Sequence, residues 1–164
     1  MLVDLFRWAE NTLPGAAYLR ESTYGFSILL TVHAVAMCVF MGLIIMMDLR
    51  LAGLGNMRTR PEEIQKRLFP WQMVGFAVIV ITGVLLYYSK PLFYYGKGYF
   101  WLKMAFMALA GANAGYIHLI TSRSSVGWDS TQAKVAGAVS LGLWAAVLIT
   151  GRLIAYEWWT TEYF

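Results

Sequence analysis

Four stretches of this 164-residue chain, at about 24–47, 69–88, 100–121 and 135–157, are almost continuously apolar. A bilayer core is crossed by about 20 helical residues rising 1.5 Å each, and in lipid each backbone polar group must find its partner inside its own segment or a closed barrel. Stretches of this length therefore predict transmembrane helices. The rest of the composition agrees: 59% of residues are hydrophobic and only 13% charged, where soluble domains carry about a quarter charged residues. Helix stops and interfacial anchors flank the stretches, namely Ser22 and Thr23, Pro70 with Trp71, Pro91, Tyr94 and Tyr95, Tyr99 to Trp101, and Trp158 with Trp159. Short connections make the expected fold all-α, an integral membrane four-helix up-down bundle.

Charge placement orients it. The connections at 48–68 and 122–134 hold seven cations, including Arg50, Arg58, Arg60, Lys66 and Arg67, whereas Arg7, Arg20, Lys90 and Lys97 lie on the other side. The positive-inside rule puts the two basic connections in the cytoplasm and both termini outside. Within residues 1–21, Leu2, Leu5, Phe6, Ala9 and Leu13 recur at helical spacing between Asp4, Arg7 and Glu10, ahead of Pro14-Gly15. This reads as an interfacial amphipathic helix rather than a signal peptide, with 22–164 as the transmembrane domain. The expected location is a bacterial inner (cytoplasmic) membrane, crossed several times.

Ionisable residues inside the spans carry the functional reading, because each costs free energy in lipid unless it faces protein, water or a ligand. They are His33, Lys103, His118 and Arg152. Lys103, Met107, Gly111, Ala114 and His118 share one face of the third helix, and Gly137, Leu141, Ala145, Leu148 and Arg152 form a similar line on the fourth. Gly111 and Gly115 make a GxxxG step of the kind that allows close helix approach. Lys103 and Arg152 fall in the same leaflet, where they either snorkel to lipid phosphates or hold acidic groups such as haem propionates. His33 lies at a depth suited to an axial ligand of a b-type haem, although a hydrogen-bonded packing histidine is the plainer alternative. His118 is expected about 13 Å deeper than His33, which works against an undistorted bis-histidine pair and leaves His33 with a weak second ligand, or with none.

Two further patterns remain open. His33, Met37 and Met41 recur every four residues beside Cys38, and thioether donors suit Cu(I), although methionine is also ordinary core filler. Asp48 and Arg50 sit at the end of the first helix, level with His118, as either a proton-relaying polar network or a structural clasp. Asn113 is central in the third helix, placed to hydrogen-bond across the bundle.

Taken together, Thr31-Val32-His33-Ala34-Val35, Asp48-Leu49-Arg50-Leu51, Phe100-Trp101-Leu102-Lys103-Met104, Ala108 to Asn113 with His118, and Gly151 to Tyr156 resemble an uncharacterised family of small bacterial four-helix inner-membrane proteins. They are more loosely similar to the copper-resistance protein D family and to cytochrome b type bundles. The resemblance implies the four-span topology. Paired histidines at matched depth on opposing helices, which cytochrome b type bundles use, are missing here.

Other classes fall away on sequence grounds. One cysteine and two histidines exclude an internal disulfide framework or a zinc ribbon. The net charge of +4 forms no basic stripe, so nucleic acid is not an expected partner. G-x-S-x-G, P-loop, GxGxxG and H-E-x-x-H motifs do not occur. The sequence therefore points to a b-type haem-binding protein for electron transfer, in which any enzymatic role is that of a membrane oxidoreductase subunit. It would exchange electrons with a quinone or a periplasmic redox partner. The alternatives are a cofactor-free accessory or assembly subunit in a larger membrane complex or homo-oligomer, and a copper-handling protein using His33, Met37 and Met41.

Overall fold

In a computed structural model of the protein, residues 22, 24–54, 58–123, 127–128 and 130–156 are described. The expected interfacial segment 1–21 lies outside them. Among the described residues all regular structure is helical: α1 (Gly25–Leu51), α2 (Pro61–Ser89), a short α3 (Pro91–Tyr95), α4 (Gly98–Arg123) and α5 (Thr131–Leu153), followed by a 3₁₀ turn over Ile154–Tyr156. α1, α2 and α5 with its 3₁₀ turn are long and apolar enough to cross a bilayer. Their outer faces are apolar too, since Val35 and Val39 of α1, Trp71, Val74 and Ile81 of α2, and Val135 and Ile149 of α5 are all exposed. Water does not tolerate apolar surface on that scale across three helices. The chain is a helical membrane protein.

Helix α2 begins where Pro61 occupies the first turn with Glu62 and Glu63, a start favoured by the fixed φ of proline and by the helix dipole. It then continues through Pro70, which the sequence reading takes as an end signal. Pro70 removes one N–H from the ladder. The turns already established from Pro61 and the long apolar run that follows carry the helix through it. Arg67 and Lys66, expected in a connection, are therefore helical residues of the first two turns.

At the other end of α1, Gly53 adopts φ +79°, and the Leu54 N–H reaches back to the Leu49 carbonyl at 2.9 Å. This is the left-handed stop that glycine allows. Arg50 is buried beside it and donates from Nε to the Thr59 carbonyl at 3.0 Å, so it ties the turn after α1 to its own helix.

α1 packs against α2 and α5, and α5 packs against α4, giving the spatial order α2, α1, α5, α4. The tightest crossing is at Gly137, where a Cβ would stand 2.8 Å from the Leu51 Cβ and 3.1 Å from the Asp48 carbonyl. Asn113 binds α4 to α5 through a 3.0 Å bond from Nδ2 to the Ala136 carbonyl, the expected contact across the bundle. α2 and α4 flank the remaining side and meet chiefly through α3.

The buried face of α5 differs from the expected line. Ala133, Gly137, Ser140, Val147 and Thr150 are buried, whereas Ala145, Leu148 and Arg152 of the Gly137–Arg152 line are exposed. Each step of four residues advances about 40° beyond a full turn, so a line built mainly of such steps drifts around the helix and leaves the core. Gly111 and Gly115 of the GxxxG step likewise make no close approach, because a Cβ at either would meet nothing within 4 Å.

Aromatic residues collect where α2, α3 and α4 meet. Tyr87 stacks on Phe100 at 5.5 Å, Tyr94 lies 5.7 Å from Phe100, and the Lys97 ammonium sits 4.6 Å above the Phe93 ring. Burial pushes the Tyr94 phenol up from its ordinary value. Trp101 donates to the Tyr95 carbonyl at 3.0 Å.

Candidate functional site

The intramembrane polar groups fall into two places separated along α1. Asp48 follows His33 by 15 residues on the same helix, a rise of about 22 Å.

At the first place, His33 Nδ1 lies 2.8 Å from Thr82 Oγ1 on α2. The Thr82 hydroxyl has a single proton and directs it to the Val78 carbonyl at 2.6 Å. Its oxygen must therefore accept, so His33 Nδ1 carries the proton and donates. The neutral imidazole is then the Nδ1–H tautomer, with a lone pair on Nε2. The Ile79 backbone also hydrogen-bonds the ring. A ring nitrogen fixed by a hydrogen bond through its fellow nitrogen is the arrangement that orients metal-ligating histidines. Gly83 makes room for it: a Cβ there would lie 3.3 Å from His33 Cε1.

Lys103 is close enough to His33 for its charge to act on the imidazole. Its side chain runs inward along Gly151, with Nζ and Cε both 3.6 Å from where a Cβ of residue 151 would stand. Arg152 behaves differently. It is exposed, its guanidinium lies 5.2 Å over the Tyr156 ring, and Nη2 donates to the Tyr156 hydroxyl at 3.1 Å. Of the two cations assigned to one leaflet, Lys103 faces His33 and Arg152 sits on the outer surface. Met37 and Met41, further along the His33 face, pack with Phe40, Ile79 and Trp144, and Cys38 is exposed.

The second place is a cleft of about 560 Å³ between α2 and α4, floored by α1 and α5. Its walls are mainly aromatic and thioether side chains. Met107, Gly111, Ala114 and His118 supply the α4 wall, so the stripe read along that helix faces the cleft, apart from Lys103. Asp48, Ser140, Gln65, Gln72 and His118 are polar residues of the lining. The Ser140 hydroxyl bonds the Asp48 carboxyl group, while Asp48 Oδ2 is buried without a hydrogen-bond partner among the described residues. His118 and Asp48 thus share a cavity, as their common level at the helix ends implies.

His33 and His118 do not form one site. His118 lines the cleft with Asp48, and His33 is bonded to Thr82 about four helical turns away. Among the described residues no three His, Cys, Asp or Glu side chains converge. Thr82, Gly83, Ser140, Gln72 and Gly137 are absent from the sequence-based site. The signal for Thr82, Ser140 and Gln72 is their polarity within apolar spans, but which helix each faces is a tertiary property.

The fold and these two polar places define a helical membrane protein with an oriented intramembrane imidazole and a lined cleft. No family model, curated protein or solved structure matches the chain.

Proposed function

We propose that the chain is a four-span protein of a bacterial inner membrane that binds one b-type haem, with His33 as an axial ligand, and passes electrons to or from a quinone or periplasmic redox partner. α4 is the fourth span. Its 26 residues reach about 39 Å, and its polar members Lys103, Asn113 and His118 face Gly151, α5 and the cleft rather than lipid. Both termini lie outside, because the cation-rich connections fall together at the Asp48 end.

The observation that carries the haem reading is the tethered imidazole: Nδ1 lies 2.8 Å from the hydroxyl of Thr82, which is itself anchored on the Val78 carbonyl, and the ring packs on Gly83. Haem supplies one-electron chemistry when bound. In this reading His33 donates Nε2, Thr82 fixes the ring plane, and Lys103 neutralises an acidic substituent from inside the bundle. Arg152 stands at the rim, where its pairing with Tyr156 keeps it within reach of a carboxylate at the surface.

The test is the absorption spectrum of protein purified from cells with ample haem supply. A Soret band and a reduced b-type spectrum, both absent in His33→Ala, are the expected result. Colourless wild-type protein, or a spectrum that His33→Ala leaves intact, refutes the reading.

A further inference from the structure

We infer that the cleft between α2 and α4 is a binding site for a lipid-soluble hydroxylated ring of the quinol class, whose hydroxyl donates to Asp48 Oδ2. The inference stands apart from the haem reading, because the cleft contains none of the residues around His33.

Three observations carry it. Asp48 is 4% exposed, Ser140 satisfies part of its carboxyl group, and Oδ2 has no partner. A buried polar atom left unpaired is costly enough that native structures rarely keep one without a purpose. The space beside it is about 560 Å³, within the range of about 300–1,000 Å³ typical of small-molecule sites. Finally, the α4 wall is open at Gly111, which lines the cleft and where a Cβ would meet nothing within 4 Å.

The lining selects the ligand. A hard cation needs six or so oxygen donors, whereas Asp48 is surrounded in the cleft by Met47, Leu51, Phe69 and Trp144. A neutral donor on a flat ring suits those walls better, since aromatic and thioether side chains pack favourably against ring faces and edges. Gln72 on α2, which donates to the Leu43 carbonyl at 3.4 Å, and His118 on α4 line the two flanks. α2 and α4 flank the cleft instead of closing it, so an isoprenoid tail would leave between them into the bilayer.

The test is equilibrium binding to the full chain in nanodiscs of phosphatidylethanolamine and phosphatidylglycerol, read by quenching of tryptophan fluorescence against empty nanodiscs. Decylubiquinol is compared with its dimethyl ether, which keeps the ring and tail but lacks the hydroxyl protons. Saturable binding of the quinol is expected, weaker for the ether by about tenfold or more, the worth of one charged hydrogen bond. Asp48→Asn should lose that preference. Gly111→Phe places a ring in the cleft from a position where a Cβ meets nothing within 4 Å, so it should abolish binding of both compounds while the thermal midpoint is retained. Binding to protein prepared from haem-depleted cells should be the same as to protein prepared with ample haem, which separates the two readings. Binding no stronger than to empty nanodiscs, equal affinity for quinol and ether, or affinity undiminished by Gly111→Phe would each overturn the proposal.

Discussion

His33 and Asp48 show how much a single side chain's neighbours decide. Both are polar residues on α1 that the sequence marks as expensive in lipid, and that expense is legible without a structure. What distinguishes them is not legible: one is tethered by Thr82 across a helix interface, and the other keeps a buried oxygen unpaired beside a cleft. Lys103 and Arg152 divide in the same manner. Their shared leaflet follows from counting residues, but only packing turns Lys103 along Gly151 and Arg152 onto Tyr156. Gly137 is the residue on which the Asp48 end depends most. An added methyl at 2.8 Å from the Leu51 Cβ has no room, and the backbones of α1 and α5 must separate to admit it. Gly137→Ala should therefore destabilise the bundle by about 1–3 kcal/mol. A lowered midpoint in denaturation from detergent micelles checks this, and an unchanged midpoint would show the crossing to be looser than its geometry implies.

Among the elements, α2 and α4 depart most from simple reading. Proline punctuation places an end at Pro70, yet α2 runs from Pro61 to Ser89, because an early and well-started helix loses only one N–H there. On α4 the GxxxG step reads as a packing motif, and Asn113 rather than either glycine makes the contact with α5. The two glycines are instead small residues beside open space. Gly111→Ala should accordingly stabilise the protein by about 0.5–1 kcal/mol, the difference in helix propensity. A destabilising outcome in the same denaturation assay would return Gly111 to the role of a helix contact. The face of α4 that lines the cleft was legible from its steps of four and three, whereas the inward face of α5 was not, because the chosen line rotates out of the core.

At the scale of the whole molecule, apolar length alone indicated a membrane protein, and α1, α2 and α5 have the length and character to span a bilayer. The order α2, α1, α5, α4 was not readable from the chain. It keeps two opposite ends of the bundle chemically separate, with an imidazole and an ammonium at one and a carboxylic cleft at the other. The proposed single haem is held through His33, and His118 belongs to the distant cleft. Haem content per chain in purified wild type, His33→Ala and His118→Ala measures it directly. The expected contents are one haem per chain in the wild type, none in His33→Ala, and one in His118→Ala. Loss of haem in His118→Ala with retention in His33→Ala would contradict the proposal.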